Sequence, residues 1–286
     1  MRIAVTGGKG GTGKSTVATA LAYELSKQKK VLLVDLDVDC PNDHLIISAK
    51  RKKIKDVYQP IPKFNFKKCI KCGKCASVCK QNSIAFAKGK YPAFIPDTCI
   101  GCKACINVCP TRAITETKKK IGKVYHGKNY GIELITGELK IGQLASGEMV
   151  AETRRISEKF EKEITLLDSS AGIGCPVIAS IIGTDYVIAV TEPTPSALSD
   201  LKRVLHIVEH FKIPYGLVIN KANLSKKFCK KTEKFAKDKK IKILSKIPYQ
   251  KDFVKSTIAM KPINAYNQEY SKYYKEILKN AQTNKM

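Results

Sequence analysis

The chain has 286 residues, a formal net charge of +27 and a hydrophobic fraction of 43%, enough for one large α/β domain or two modest ones around a proper core. No apolar run approaches the ~18–20 residues that a membrane-spanning helix needs. The first predicted strand begins at Arg2, and we expect no secretory signal peptide. These observations lead us to expect a cytoplasmic protein.

The positive charge is almost entirely lysine and is spread along the chain. Runs such as Lys118–Lys120 and Lys226–Lys231 lack the regularly interleaved aromatic side chains of a surface that stacks nucleic-acid bases. We therefore expect solvated helix faces and acidic partners or nucleotides, and no specific nucleic acid.

A phosphate-loop pattern, Gly8-x-x-x-x-Gly13-Lys14-Ser15, follows the apolar run Ile3–Val5, which we predict to be a buried strand. Glycines let backbone N–H groups turn inward around a triphosphate, and the helix predicted over residues 14–28 points its positive end at the same phosphates. Lys14 is expected to neutralise the β- and γ-phosphates, and Ser15 to ligate Mg²⁺. The residues predicted to bind ATP in this loop are Gly8, Gly10, Gly11, Thr12, Gly13, Lys14, Ser15 and Thr16.

A second lysine, Lys9, lies inside this loop. The string from Lys9 to Ser15 resembles the deviant Walker A motif of the MinD/ParA/Mrp ATPases and the nitrogenase iron protein. The resemblance implies that Lys9 reaches across a dimer interface to the partner's nucleotide, and that the active form is an ATP-sandwiched homodimer. A solvated loop lysine is the alternative.

The second predicted strand, Val31–Asp35, leads into a loop with three aspartates. A carboxylate just past the end of a parallel strand lies in the crevice where such sheets bind ligands. The resemblance implies that Asp37 positions or activates the attacking water, whereas Asp35 and Asp39 are expected to be loop-solvating residues. Cys40 is expected to be a small packed residue.

Eleven cysteines in a cytosolic chain indicate metal binding and not disulfides. Eight of them form two runs with 2-2-3 spacing, repeated thirty residues apart. This spacing is typical of two-cluster bacterial ferredoxins, in which three thiolates hold one [4Fe–4S] cube and the fourth holds the other. The predicted ligand sets are Cys69, Cys72, Cys75 with Cys109, and Cys99, Cys102, Cys105 with Cys79. Two Cys₄ zinc sites are the alternative.

After residue 118 we predict a hairpin or edge strands over Ile121–Ile141, a helix over Gly147–Phe160 and a strand over Ile164–Asp168. The form of a Walker B motif implies that Asp168 holds Mg²⁺ through water and that the amide of Gly172 senses the γ-phosphate. Cys175 has the spacing of a cluster ligand of the nitrogenase iron protein, but no second cysteine occurs between residues 142 and 150. We therefore expect Cys175 to be buried or to line the switch.

The rest of the chain alternates predicted strands and helices, which indicates a parallel sheet. The resemblance implies that Asn220 recognises adenine and that the segment at Pro248 packs on the base; a helix N-cap is the alternative role for Asn220. The terminal helix, from about Tyr266 to Lys279, is expected to pack on the sheet and not on a membrane. The predicted elements are strands at 186–190, 215–220 and 241–247 and helices at 196–211 and 226–239.

The sequence thus resembles MinD/Mrp-type ATPases with an inserted ferredoxin domain. We expect a doubly wound, mostly parallel α/β sheet from residues 1–59 and 119–286, and a small α+β ferredoxin-like domain at 60–118. The implied function is an ATPase that couples a nucleotide switch to electron transfer or to metal-cofactor assembly, with an unidentified redox or cofactor-assembly partner. The alternative is a positioning or regulatory ATPase in which the clusters act as a redox sensor.

Overall fold

The computed structural model describes residues 1–282, and its core is a nine-stranded sheet. The strands of the described chain are β1 (Arg2–Gly7), β2 (Val31–Leu36), β3 (Arg51–Phe64), β4 (Ile84–Ala85), β5 (Ala93–Phe94), β6 (Ile114–Asn129), β7 (Ile132–Leu139), β8 (Ile164–Ala171), β9 (Tyr186–Thr191), β10 (Tyr215–Ile219) and β11 (Ile243–Lys246). The helices are α1 (Lys14–Ser26), α2 (Asp43–Ile46), α3 (Lys74–Ser77), α4 (Ala104–Asn107), α5 (Ser146–Ser157), α6 (Cys175–Ile181), α7 (Pro195–His210), α8 (Lys226–Asp238), α9 (Lys251–Ile258), α10 (Ile263–Tyr266) and α11 (Ser271–Gln282).

The large sheet is mostly parallel, as predicted, and its strand order is β11-β10-β9-β1-β8-β2-β7-β6-β3. All pairs from β11 to β7 are parallel, whereas β6 pairs antiparallel with both β7 and β3. Because β1 is central and the loops after parallel strands leave the same edge, the loops that follow β1, β2 and β8 meet at one place.

Helices cover both faces of this sheet, which makes it doubly wound. Successive side chains of a strand point to opposite faces, so Ile3 packs with the core under α1 while Ala4 packs with the core under α5. The two central strands are buried along almost their whole length. This near-continuous apolar character is typical of parallel strands that are covered on both sides.

The C-terminal helical region packs on the sheet, as expected. Tyr270, Tyr274 and Ile277 are all buried in the core under α1. The prediction of one helix from Tyr266 is wrong in detail: α10 ends there, and extended backbone at Asn267 separates it from α11. Across residues 1–282, no helix has both the length and the apolar character that crossing a bilayer requires.

β3 and β6 form a long two-stranded ribbon that extends away from the sheet, paired from Arg51 with Gly127 to Phe64 with Ile114. The predicted hairpin is confirmed: β6 turns into β7 through Tyr130 and Gly131, both in the left-handed region. The domain boundaries predicted after residues 59 and 118 fall inside these two strands, and that division of the chain stays a prediction.

The ribbon ends in a small unit, residues 64–114, which we call the cysteine unit. It contains the short helices α3 and α4 and the two-stranded sheet of β4 and β5. Its core is built on Cys75, Cys105, Ile84 and Ile114, at pairwise equivalent positions of the thirty-residue repeat. The two halves of the repeat therefore pack against each other as a pseudo-symmetric pair.

Candidate functional site

The phosphate loop joins β1 to α1 at the edge of the sheet where the parallel strands end. Gly13 precedes α1 in the left-handed conformation, with φ of 93°. In the described chain, no side chain caps the N-terminus of α1, and its first turn holds no acidic residue. The first N–H groups of the helix are thus available to a ligand, which is the arrangement that binds phosphate.

Lys14 lies at the start of α1 with its side chain largely buried, at 7% exposure. Its Nζ atom is 3.5 Å from the carbonyl oxygen of Lys9, a long contact. Lys14 lies close enough to Asp37 and Asp168 for its positive charge to lower the pKa of both carboxyl groups. An anion that enters the loop would therefore find a buried ammonium group without a close carboxylate partner.

Asn220 fixes the phosphate loop from the end of β10. Its Nδ2 atom donates a hydrogen bond of 2.7 Å to the carbonyl oxygen of Thr12, and a Cβ added to Gly13 would collide with the same amide group. Only glycine fits this position, because it tolerates both the positive φ and the close approach. The N-cap alternative for Asn220 is wrong, since the N-cap of α8 is Ser225.

Four carboxylates gather behind Lys14, and we call Asp35, Asp37, Asp43 and Asp168 the acidic cluster. Asp35 and Asp168 are register partners on β2 and β8. Asp35 is buried and accepts three backbone hydrogen bonds of 3.0–3.2 Å from the following loop and from α2. The expectation that Asp35 solvates the loop is therefore wrong, because it holds the loop's backbone; Asp39 is exposed.

Burial dominates the protonation of the acidic cluster. Burial and the neighbouring carboxylates raise the pKa of Asp35 and Asp43 well above the usual range. Burial raises the pKa of Asp168 to about 7, although Ser15 and Lys14 lower it. Burial also raises the pKa of Asp37, against the influence of Lys14. Closely placed carboxyl groups of this kind hold protons near neutral pH unless a cation replaces those protons.

The cluster fits a divalent cation. The side chains of Asp43 and Asp168 are fully buried, and within residues 1–282 only each other and the Ser15 hydroxyl face their oxygens as polar partners. The Ser15 hydroxyl faces Asp168, so a hydroxyl and two carboxylates, the oxygen ligands that Mg²⁺ prefers, come together beside the phosphate loop. The sequence interpretation missed Asp43, because a lone aspartate in a four-residue helix gives no signal of its own.

We expect metal-free protein to become more stable as the pH falls from 8 to 6. The folded state keeps a proton on Asp168 below about pH 7, whereas the unfolded chain releases it down to about pH 4, so protonation favours folding in this range. Denaturant unfolding in EDTA should show a gain of about 1–2 kcal/mol, since one pKa unit corresponds to about 1.4 kcal/mol. Saturating Mg²⁺ should remove this gain, because the ligand must be deprotonated.

The matched control is Asp168→Asn, which should lose the part of the pH dependence that Asp168 causes. An equal pH dependence in Asp168→Asn and in the unmodified chain would show that Asp168 is not the titrating group.

Lys9 is held by an ion pair within its own chain. Its Nζ atom is 3.0 Å from Oε1 of Glu192, and Oε2 of Glu192 is 2.9 Å from Nζ of Lys221. Lys221 also donates a hydrogen bond of 2.8 Å to the carbonyl oxygen of Gly11. Burial would raise the pKa of Glu192, but the hydrogen bonds from the two lysines hold it below its usual range. The sequence interpretation missed Glu192, which reaches Lys9 only through the fold.

A cavity of about 270 Å³ opens on the outer side of the phosphate loop. It brings together Gly13, Thr16, Asn220 and Pro248, which were predicted to bind the nucleotide, and adds the ring of Tyr249. The side chain of Asn223 pins this last residue by accepting from its backbone N–H at 2.7 Å and donating to its carbonyl at 3.1 Å. An apolar and aromatic pocket beside a phosphate site suits a nucleobase.

Two cysteines near the nucleotide edge differ from expectation. Cys175 begins α6 and is exposed, and Cys40 is exposed in the loop after β2. The expected packing of Cys40 is wrong, as is the burial of Cys175, because each lies where a strand has ended and the chain runs over the surface; the other expected role of Cys175, lining the switch, stays a prediction. The N–H of Gly172 donates to the carbonyl oxygen of Gly7 at 3.3 Å, so this amide is engaged with the phosphate-loop strand.

The cysteine unit contains two cavities, each lined by four thiols. The inner cavity, of about 220 Å³, also touches Pro60 and Ile61 of the ribbon, whereas the outer cavity, of about 20 Å³, touches Phe64 and Ile114, the last pair of the ribbon. The inner thiols belong to Cys79, Cys99, Cys102 and Cys105, and the outer ones to Cys69, Cys72, Cys75 and Cys109. In each cavity, one cysteine comes from the opposite half of the repeat.

Backbone N–H groups point at the crossing cysteines. Ser83 donates to Sγ of Cys79 and Ala113 donates to Sγ of Cys109, both at 3.2 Å. Burial would raise the pKa of Cys109, but this N–H and nearby Thr111 lower it below its usual range. Burial raises the pKa of Cys105 to about 11. Within residues 1–282, no three His, Cys, Asp or Glu side chains lie close enough together to hold a single metal ion.

Comparison with known proteins finds relatives in sequence and solved structures of similar fold. An uncharacterised protein of Methanocaldococcus jannaschii is 38% identical over 226 residues, 79% of each chain. A second uncharacterised protein of the same organism is 35% identical over 278 residues, 97% of this chain and 96% of the relative. The solved structure of MinD from Pyrococcus horikoshii with Mg-ADP superposes with a TM-score of 0.59 at 18% identity and covers 99% of this chain and 94% of that one.

These comparisons favour the alternative interpretation, a MinD/ParA-like ATPase, and give no support to electron transfer, cofactor assembly or a relation to the nitrogenase iron protein. The sequence pattern of one family matches residues 3–263. The chain therefore belongs to the CobQ/CobB/MinD/ParA nucleotide-binding domain family.

Proposed function

We propose that the chain is a Mg²⁺-dependent ATPase that works as a nucleotide switch. The observation that carries this proposal is the uncapped N-terminus of α1 beside the buried Lys14, opposite the buried oxygens of Asp43 and Asp168. A ligand with both phosphate oxygens and a divalent cation would satisfy all of these groups together. The related fold of MinD solved with Mg-ADP supports the same ligand.

In this proposal the chain's own residues bind and orient the triphosphate. The loop N–H groups and Lys14 bind the phosphate oxygens, and Tyr249 and Asn220 contact the base. Ser15 and Asp168 would hold Mg²⁺, which neutralises phosphate charge when bound. Asp37 is half-buried at the same edge, and its raised pKa suits a group that orients and deprotonates water near neutral pH. Hydrolysis with and without Mg²⁺ in Asp37→Asn protein tests these roles.

Dimerisation would exchange the partner of Lys9. In one chain Lys9 pairs with Glu192, and in an ATP-bound homodimer it would instead contact the phosphates of the other chain. The switch therefore includes the loss of an intramolecular ion pair, and Lys221 remains to pair with Glu192 after Lys9 leaves.

We expect Glu192→Gln to dimerise with ATP at about a thirtyfold lower protein concentration, because the two Lys9–Glu192 ion pairs, one in each chain, no longer have to break. The change keeps the side-chain shape but removes a half-exposed ion pair that stabilises the free chain by ~1 kcal/mol. Analytical ultracentrifugation in an Asp37→Asn background, where ATP persists, gives the measurement. Lys9→Ala should not dimerise at all; dimerisation of Lys9→Ala equal to that of the parent would contradict a trans-acting lysine.

We further propose that the cysteine unit holds two [4Fe–4S] clusters. The support is that each cavity brings together the four thiols of one predicted ligand set, three from one half and one from the other. The N–H groups directed at Cys79 and Cys109 favour thiolates. The 2-2-3 spacing of each run and its crossing fourth cysteine are typical of a cube, whereas zinc sites generally use two separated Cys-x-x-Cys pairs.

The two sites have a physical connection. The carbonyl of Val38, next to Asp37, accepts a hydrogen bond of 2.8 Å from Leu139 at the end of β7. β7 pairs with β6, which continues into the ribbon. A change in the loop after β2 would therefore reach the cysteine unit through paired strands. We propose that cluster redox state regulates the ATPase through this connection, and anaerobic ATP turnover with oxidised and with reduced clusters tests it.

Electron delivery to a partner is the second candidate function. It is favoured by the presence of two thiol-lined cavities in one small unit, because two clusters held close together would suit electron passage. Reduction of a partner protein that proceeds only during ATP turnover would favour this candidate over the regulatory one.

A further inference from the structure

The two halves of the cysteine unit differ strongly in charge. Residues 63–96 contain eight lysines and no acidic residue, whereas residues 97–118 contain three basic and two acidic residues. All eight lysines are exposed. They are Lys63, Lys67, Lys68, Lys71, Lys74, Lys80, Lys88 and Lys90. Lys103 of the second half is instead paired with Glu116 at 2.6 Å.

This charge surrounds an apolar surface at the outer cavity. Ile70 is 62% exposed, and Phe66 and Tyr91 are about half exposed with their ring centroids 4.9 Å apart. Nζ of Lys71 lies 4.5 Å from the ring centroid of Tyr91. Ile70 and Lys71 also line the outer cavity next to Cys72, which is itself exposed. We call Phe66, Lys67, Lys68, Ile70, Lys71 and Tyr91 the outer surface.

The inner cavity lies against the ribbon, and one of its thiols, Cys102, is exposed, as Cys72 is in the outer cavity. Its wall includes Pro60 and Ile61. The side chain of Gln59 donates a hydrogen bond of 2.8 Å to the carbonyl oxygen of Cys99. A Cβ added to Gly101 would come within 2.9 Å of the Pro60 carbonyl, so the loop lies directly on the ribbon. What distinguishes the outer set of thiols is therefore the lysine-rich, partly apolar surface beside it.

We propose that the outer surface is the docking site for an acidic one-electron carrier protein. The inference rests on the proposed clusters and names where their electrons are exchanged and with which class of partner. An exposed apolar centre with a ring of unpaired lysines suits a carrier with an apolar cofactor edge inside an acidic rim. One electron passes between carrier and outer cluster: the donor is oxidised by one equivalent, the acceptor is reduced by one, and no bond is formed or broken.

The test uses cluster-loaded full-length protein and a flavodoxin, a small acidic flavin carrier. A carbodiimide joins lysines to carboxylates in contact, so cross-linked peptides should contain Lys67, Lys68 or Lys71. The triple variant Lys67→Gln, Lys68→Gln and Lys71→Gln should weaken flavodoxin binding about tenfold or more at low salt and flatten its salt dependence. The matched control changes three exposed lysines of α8 to glutamine, Lys226, Lys227 and Lys230, and should bind as the parent does.

The outcomes separate this inference from the proposed function. If all proteins contain about eight irons per chain but the two triple variants bind equally, or cross-links fall on α8, the docking site is overturned and the clusters stand. If the parent contains no iron–sulfur cluster, both are overturned. If a single-stranded oligonucleotide displaces flavodoxin and binds the outer surface more tightly, the partner is a nucleic acid and the proposal is wrong.

Discussion

Lys14→Ala is expected to reduce ATP turnover by about 10²–10³-fold, the loss typical of removing one preorganised charge or donor from a reacting group. Lys14 is buried at the start of α1, and within residues 1–282 it forms no ion pair with a carboxylate, so its charge is available to the phosphates. Steady-state phosphate release with saturating Mg²⁺ and ATP is the measurement.

Two measurements keep this result interpretable. Lys27→Ala changes a lysine at the other end of α1, where it pairs with Glu24 at 2.8 Å, and should retain normal turnover. Thermal unfolding shows whether Lys14→Ala is folded, and we expect it to be so because the acidic cluster lies behind and not around this side chain. Turnover within about threefold of the parent in folded Lys14→Ala would contradict the proposed phosphate site.

The second large effect concerns iron content. Removing Cys109 is expected to lower iron from about eight to about four atoms per chain, because one of two cubes loses a ligand. Cys109→Ala removes a thiol of the outer cavity although its sequence neighbours Cys99–Cys105 line the inner one. The control is Cys229→Ala, a buried cysteine of α8 outside the cysteine unit, which should keep about eight irons.

Double variants test the crossed pairing itself. Cys69 and Cys109 line the same cavity. Changing both to alanine should therefore remove only one cluster and leave about four irons per chain. Cys69 with Cys79 belong to different cavities, so their double variant should lose nearly all iron. Uncrossed halves predict the reverse order, and that result would overturn the assignment. If the loss of one cluster unfolds the whole cysteine unit, the unmodified protein can be used instead. Iron is removed stepwise with a chelator, and alkylation then reports which thiols become reactive together.

Most of the fold could be predicted from local sequence patterns. The apolar runs at Ile3, Val31 and Ile164 are strands because each is short, rich in β-branched or leucine residues and ends in glycine or aspartate. The phosphate loop was recognisable from glycine spacing alone, and the thirty-residue repeat anticipated the matching positions of α3 and α4. In each case, the information lies within one segment of the chain.

The features that sequence interpretation missed depend on residues far apart. Glu192 meets Lys9 only because β9 pairs with β1, and Asp43 joins Asp168 only because α2 folds back under the sheet edge. For Cys175, the missing second cysteine left burial or a switch-lining position as the expectation, and its exposure follows from the path of the chain after β8. The spacing of residues along the chain cannot predict such contacts, because they form between segments that are distant in the sequence.

The most direct test of the account compares cluster midpoint potentials in ATP-bound and ADP-bound protein. If the nucleotide switch and the cysteine unit are coupled through the ribbon, the potentials should differ, and a tenfold coupling corresponds to about 59 mV for a one-electron couple. Reduction should then change the ratio of ATP to ADP affinity by the same factor, as linkage requires. Identical potentials with ATP, with ADP and without nucleotide would contradict the account.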